Sequence, residues 1–398
     1  MGDQEQSLNG LAQHYRHFRV AERLLLTGHS HQAWPDVALD GQRDAFDDAA
    51  LLVDQKWPRA FAKAERLRAG VRELLGEPGG EVALAANTHE LVVRFLSALD
   101  LKRRPRLVTT DGEFHTLRRQ TGRLAEGWLD VVRLPARPVD DLAERLASAA
   151  DDRTSAVLVS AVLYEDSRIV PGLDSLAEAC AAHGVELLVD VYHALGAMPY
   201  KLSDRGLESA WVVGGGYKYL QLGEGNCFLR VPAHAHEMRP VITGWFSEFA
   251  RLERRVDPHS VTYPRGAAAF AGSTYDPTSH YRAARVLDFF VEQALTPERL
   301  HDSYRHQVAL LARAFDALDL PEALITRDRS VPLERFGGFL ALQSSQAEPL
   351  QRALAASGVM TDSRGDTLRL GPAPYLSDAQ LETGIERLGA VLADRPVS

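Results

Sequence analysis

Only two cysteines, Cys180 and Cys227, occur in 398 residues, too few for a disulfide framework or a thiolate metal site. That scarcity fits a reducing compartment. The sequence also lacks any run of about 18 apolar residues that could span a bilayer. Met1 to Gly10 is polar and acidic with no apolar centre, which does not suit a signal peptide, so the reading is a soluble, cytoplasmic protein. No basic stripe interleaved with aromatics is present. With 45 Lys+Arg against 54 Asp+Glu the net charge is −9, which argues against nucleic acid and leaves a small molecule as the expected partner. Neither Gly-x-x-x-x-Gly-Lys-Ser/Thr nor Gly-x-Gly-x-x-Gly occurs, which argues against a nucleotide-binding protein built on Gly214 to Gly216. No repeat of fixed period is visible.

What is present is ordinary globular composition, 45% apolar and 25% charged. The length exceeds the usual single core and favours a large and a small domain. After a helix-like stretch ending near Arg19 to Leu26, the segment Thr27 to Pro35 reads as an ordered loop rich in Gly, His and Ser. Helical spacing runs from Asp40, broken near Trp57-Pro58, to Leu75. From there to about residue 230, short β-branched runs alternate with amphipathic stretches, the pattern of βαβ units around a mostly parallel sheet. Expected strands are Val82 to Leu84, Arg106 to Thr109, Ala156 to Ser160, Glu186 to Val189, Ala210 to Val213 and Cys227 to Val231, with helices over Val139 to Ala149 and Leu173 to Ala182. Residues 232 to 278 read as a long irregular connection. Helices over Ser279 to Gln293 and Leu300 to Leu318 precede a smaller α+β region. The division is therefore 1–45 for an N-terminal helix and substrate loop, 46–285 for a large α/β domain, and 286–398 for a small α+β domain.

Two strand ends carry the chemistry. Glu186-Leu187-Leu188-Val189-Asp190 ends in an acid and is followed by Val191-Tyr192-His193; the next strand ends in Gly214-Gly215-Gly216-Tyr217-Lys218-Tyr219. Ligands in parallel α/β folds sit beyond the carboxyl ends of strands, so Asp190 and Lys218 both fall at the edge where a site belongs. Singly, each has a bland explanation, Asp190 as a cap and Lys218 as a surface lysine. Together they supply what pyridoxal 5'-phosphate requires: an amine for a Schiff base and a carboxylate for the pyridine nitrogen.

On these residues the chain resembles kynureninase and the class V aminotransferase family of fold type I pyridoxal-phosphate enzymes. Asp190-Val191-Tyr192-His193 resembles the family's Asp-x-x-His, and Tyr217-Lys218-Tyr219-Leu220 its Tyr-Lys-Tyr-Leu. Gly244-Trp245-Phe246 is similar to its Gly-Trp-Phe/Trp element, and Leu368-Arg369-Leu370-Gly371-Pro372-Ala373-Pro374-Tyr375 to its Arg-containing, proline-rich segment, preceded by Gly358 to Asp362. The resemblance implies that Lys218 carries the cofactor, Asp190 meets its ring nitrogen, His193 supports it, and Tyr217 reaches the phosphate and relays a proton. It implies that Trp245 and Ser273, or Thr274 beside it, contact the phosphate of a neighbouring subunit in a homodimer. Arg369 would hold a substrate carboxylate, for which its planar fork is suited.

Asn87 and Thr88 precede a helix whose N-terminus could cradle a phosphate, although Thr88 also serves as a plain N-cap. Phe114 matches the aromatic stacked on the pyridine face, with simple core packing as the alternative. The family's Asn-Ser-Leu-Gly is replaced by His29-Ser30-His31-Gln32, placing His29 and Ser30 at the substrate wall, and Leu117 stands where the family has an acid. Two histidines without a third ligand make no metal motif. The implied reaction is hydrolytic Cβ–Cγ cleavage of kynurenine or a related amino acid to alanine and an aryl acid, or else transamination or β/γ-elimination on another amino acid, in each case catalysed by Lys218, Tyr217 and Asp190.

Overall fold

The structure, a computed structural model, describes residues 10–251 and 259–393. The polar segment weighed above as a signal peptide falls almost wholly outside these residues, as does part of the irregular connection.

The first described residues form three 3-10 turns between Leu11 and Glu22, not the helix expected from the sequence. Arg19 adopts the left-handed region (φ 54°), which ends any regular helix there. Strand β1 (Leu24–Leu25) follows, then helices α1 (Val37–Leu52) and α2 (Trp57–Leu75), separated by one 3-10 turn. Pro58 starts α2 at its first turn, where a missing N–H costs nothing, so it opens the helix that the sequence reading had it break.

A seven-stranded sheet then assembles from β2 (Glu81–Ala85), β3 (Arg106–Thr110), β4 (Asp130–Leu134), β5 (Thr154–Ser160), β6 (Glu186–Asp190), β7 (Trp211–Gly215) and β8 (Cys227–Val231) in the order β2-β8-β7-β6-β5-β3-β4. The pairings from β7 across to β4 are parallel, whereas β8 runs antiparallel to both β7 and β2. Helices α3 (Thr88–Ala98), α4 (His115–Ala125), α5 (Leu142–Ala149) and α6 (Leu173–Ala182) alternate with the strands. All seven residues of β5 are buried, as a central parallel strand covered on both faces requires. Strand periodicity divides the core in two. Val157, Val159, Leu187, Val189 and Val212 join the apolar cluster that holds α2, α5 and α6, while Ala156, Leu158, Leu188 and Val213 join the one that holds α3.

Helices α7 (Thr278–Glu292) and α8 (Pro297–Asp316) lead to a second, antiparallel sheet. Its strands β9 (Thr326–Arg327), β10 (Leu340–Gln343), β12 (Asp362–Arg364) and β13 (Thr367–Leu370) lie in the order β12-β13-β10-β9, with α9 (Ala347–Ala356) and α10 (Asp378–Ala393) beside them. The two-residue β11 (Val359–Met360) pairs in parallel with β1, Leu24 opposite Val359 and Leu25 opposite Met360, and Thr27 bridges Gly371. The N-terminal loop is thereby fastened to the C-terminal sheet. This is a fold type I architecture: a mostly parallel central sheet flanked by helices, with a smaller α+β portion after it.

Trp211 on β7 joins the sheet to its cover. Its ring stands edge-on to Phe95 of α3 at 5.1 Å and to Phe270 at 5.2 Å, and its indole N–H donates to Glu186 at 2.7 Å. Trp211→Ala should cost about 3–5 kcal/mol of unfolding free energy, read as a lower denaturant midpoint with unchanged slope.

Candidate active site

Asp190 ends β6 and Lys218 follows β7, two adjacent parallel strands in which Asp190 lies opposite Val213. The chain turns sharply after each. One Asp190 oxygen accepts the Tyr192 backbone N–H at 2.8 Å, which fixes the carboxylate and leaves its other oxygen to face a ligand. Gly215 is demanded by crowding: a Cβ there would lie 2.3 Å from the Tyr192 hydroxyl and 2.6 Å from the Cys227 sulfur. The absence of that carbon lets the 215–218 turn press against Tyr192 and aim the lysine inward.

The Lys218 amine is buried and donates to the His193 Nε2 at 2.5 Å. Around it stand the rings of Tyr192 at 4.8 Å, Phe114 at 5.5 Å and Tyr217 at 5.8 Å. Burial pulls the amine down to about 7, and Arg369 and Arg364 push the same way against the opposing pull of Asp190. Such an amine is largely neutral, hence nucleophilic, just above neutral pH. Burial first, then Lys218 and Arg369, hold His193 well below the usual imidazole range, so it is neutral and accepts the lysine proton. Burial raises the Asp190 carboxyl. The Tyr217 phenol, half-buried against Tyr192 with ring centroids 4.9 Å apart, is pushed up to about 12 by burial and keeps its proton.

A second group closes the other side. Arg369 on β13 is buried, donates from Nη1 to the Tyr164 carbonyl at 2.5 Å, and pairs through Nη2 with Asp362, leaving Nε buried without a partner. Asp362 also accepts Arg364 Nη1 at 2.6 Å. His29 lies in the same patch, its ring 4.5 Å from Phe339 and its Nε2 3.7 Å from Asp362. Phe339 in turn contacts the His193 ring at 5.8 Å, so one aromatic side chain joins the two halves. His29 is completely buried with both ring nitrogens unpartnered, and burial, Arg369 and Lys218 keep it uncharged. The Ser30 hydroxyl lies 3.2 Å from His31 Nδ1, and His31 stacks on Tyr217 at 4.8 Å.

The structure thus gathers Lys218, His193, Asp190, Tyr217, Phe114, Arg369 and His29. Asn87 N-caps α3, its side chain accepting the Glu90 N–H at 2.9 Å. The Thr88 backbone N–H donates toward the Cys227 thiol, which lies 3.6 Å from the Tyr192 hydroxyl, so the N-terminus of α3 reaches the lysine's surroundings through two contacts. Trp245 and Ser273 are not gathered there. Trp245 is 43% exposed and donates to Thr274 at 3.2 Å, among Phe246, Phe249 and Tyr275, beside a cavity of about 990 Å³ that does not include Lys218. Among the described residues no three His, Cys, Asp or Glu side chains cluster as a metal site, and no helix is long and apolar enough to cross a membrane.

Two acids escaped the sequence reading. Asp362, the last residue of the Gly358 to Asp362 run, occupies the Arg369 fork. Glu113, the residue before Phe114, is buried and accepts hydrogen bonds from Thr110 and Ser160. Its one sequence signal was that adjacency, since a carboxyl in the turn after a strand is otherwise common.

The residues fit a planar, anionic, lysine-linked group. The polar atoms His193 Nδ1 and Arg369 Nε are orphaned and buried, the lysine lies among aromatic faces, and Asp190 keeps one oxygen uncommitted.

No family model matches the chain. A kynureninase of Bacillus cereus strain ATCC 14579 is 26% identical over 247 residues, 61% of this chain, and the match spans only 56% of that relative's length. A kynureninase of Bacillus mycoides is 25% identical over 367 residues, 88% of this chain and 80% of the relative. The uncharacterized aminotransferase YcbU of Bacillus subtilis is 24% identical over 86% of this chain and 88% of its own. Among solved structures, C-DES with glycine covalently linked to its pyridoxal-phosphate cofactor superposes with a TM-score of 0.81 at 16% identity, covering 95% of this chain and 98% of that one. The cysteine desulfurase of Thermococcus onnurineus NA1 gives 0.76 at 16% identity, covering 94% and 95%. At such identity the superpositions speak for the fold alone. With the lysine, acid and arginine motifs in their places along it, the chain is similar in sequence to kynureninases and an aminotransferase and shares the fold of pyridoxal-phosphate enzymes.

Proposed function

We propose that the protein is a pyridoxal-phosphate enzyme cleaving the Cβ–Cγ bond of kynurenine or a closely related amino acid by hydrolysis, giving alanine and an aryl acid. The observation that carries the reading is the buried Lys218 amine, 2.5 Å from His193 and next to Asp190, in a chain whose sequence relatives include kynureninases. Pyridoxal 5'-phosphate, when bound, supplies an electron sink for negative charge at the substrate's α-carbon.

The residues divide the remaining work. Lys218 would be the attachment point and the base that takes the α-proton of a bound substrate; its lowered basicity suits both duties at neutral pH. Asp190 would hold a proton at the ring nitrogen, Phe114 would cover the ring, and the N-terminus of α3 with Asn87 and Thr88 would receive the phosphate. Arg369 meets the substrate carboxylate from its free Nε edge, with Asp362 steadying the far side of the guanidinium. Tyr217, which keeps its proton to about pH 12, donates one to the departing carbon. His29 and Ser30 form the wall beside the substrate side chain. Trp245 and Ser273 are exposed where a second copy of the chain could receive them, making a homodimer with shared sites part of the proposal.

A second reading, elimination or transamination on another amino acid, is favoured by the imidazole wall at His29 and His31. A desulfurase that carries sulfur on a mobile cysteine is disfavoured. Cys180 and Cys227 are both buried, and burial raises each thiol to about 12.

Incubating the holoenzyme with kynurenine should yield alanine and an aryl acid in equal amounts; amino transfer to a keto acid, or keto acid and ammonia from another substrate, would favour the second reading instead. Lys218→Ala should fold normally by circular dichroism, lose the borohydride-reducible visible band and lose at least about 100-fold in rate. Because the amine is protonated below about pH 7, capture of pyridoxal phosphate by the apoenzyme should slow about tenfold per pH unit below that point and level off above it, as followed by stopped-flow absorbance.

A further inference from the structure

A buried carboxyl that the proposed mechanism does not use lies two strands from Asp190. Glu113 sits in the turn between β3 and α4, directly before Phe114, and is only 1% exposed. Its Oε1 accepts the Thr110 hydroxyl at 2.8 Å and the Ser160 backbone N–H at 3.2 Å, and its Oε2 accepts the Ser160 hydroxyl at 2.6 Å. Thr110 ends β3, Ser160 ends β5, and Ser160 stands opposite Asp190 in the sheet register. The carboxyl therefore grips the strand end next to the one that carries the ring-facing acid. Thr110 and Ser160 are uncharged, and the ionisable group acting on Glu113 from β6 is Asp190, which bears like charge.

A carboxyl hidden from water with three donors and, among the described residues, no ion-pair partner has a specific electrostatic consequence. Ionised, it repels the charge on Asp190 through a low-dielectric interior, and that repulsion raises the affinity of Asp190, and of any ring nitrogen it faces, for a shared proton. The Phe114 backbone couples the same turn to the aromatic face beside Lys218.

We propose that Glu113 is a positioning residue that strengthens the hold of Asp190 on the proton of the cofactor's ring nitrogen while anchoring the turn that presents Phe114. The proposal rests on the reading that Asp190 faces that nitrogen. Burial, partly offset by the hydroxyl hydrogen bonds, pushes the Glu113 carboxyl up to about 7, so its charge grows as the pH rises through neutrality. The sign is compensating: in the range where a ring proton would be released, an additional negative charge appears nearby to retain it.

The test is the pH profile of the visible band of the lysine-linked cofactor, recorded from pH 5 to 9 on wild-type, Glu113→Gln, Ser160→Ala and Asp190→Asn holoenzymes. Glutamine keeps the shape and can still accept from Thr110 and the Ser160 N–H while donating to the Ser160 hydroxyl. Its band should titrate at least about half a pH unit lower than the wild type and lack the component near 7. Should the glutamine variant not fold, Ser160→Ala serves: losing one donor to the carboxylate should move that component upward, and an unmoved component would overturn the proposal. A Glu113→Gln profile that superimposes on the wild type while Asp190→Asn changes it would overturn the role of Glu113 alone. An unchanged Asp190→Asn profile would overturn the reading beneath it as well. A purely structural anchor would lower the melting temperature of Glu113→Gln and leave the band where it was.

Discussion

The site is built around one costly placement, an amine taken out of water. Lys218 is held among three aromatic rings with a neutral histidine as its hydrogen-bond partner, and a buried ammonium there would be penalised heavily. The chain tolerates the placement because the amine can shed its proton. Much else follows from it. Gly215 has no side chain, since any carbon there would push the turn away from Tyr192, and His193 is buried beyond easy protonation, so it remains an acceptor. The parallel register of β6 and β7 brings an acid to the same edge without pairing it directly to the lysine, leaving both free for a third party.

A different logic governs the opposite wall. Arg369 is not an open fork waiting for a carboxylate. Asp362 and the Tyr164 carbonyl already take two of its nitrogens, so its orientation is fixed before any ligand arrives. His29 adds an uncharged, hydrogen-bond-capable face in the same patch, pressed there because Thr27 bridges Gly371, where a side-chain carbon would lie 2.2 Å from the His29 ring. The placing of this wall depends on the pairing of two segments more than 330 residues apart.

That separation explains what could be read in advance and what could not. Strands buried on both faces announce themselves as apolar β-branched runs, so β5, β6 and β7 and the residues at their ends were legible, and with them Asp190, His193, Tyr217 and Lys218. Strand β4 was missed because Asp130–Leu134 is only partly buried at the sheet edge and carries charges at Asp130 and Arg133. The turns before Leu26 were mistaken for a helix because apolar spacing cannot reveal a left-handed residue at Arg19 or a two-residue pairing with β11. Glu113 and the embrace of Asp362 by two arginines depend on side-chain direction, which spacing does not encode. Trp245 and Ser273 lie apart from the lysine within one chain, and nothing in their local sequence carries that information.

The bridging of the N-terminal loop to the last strands has a temporal consequence. During vectorial synthesis the central sheet can close around the lysine once about 230 residues have emerged, and His31 can then stack on Tyr217, but the backbone partners of β1 and Thr27 are missing until β11 and the segment after β13 appear. A nascent chain therefore passes through a stage with the surroundings of Lys218 assembled and Arg369 still missing, and only near the end of translation are the two walls brought together.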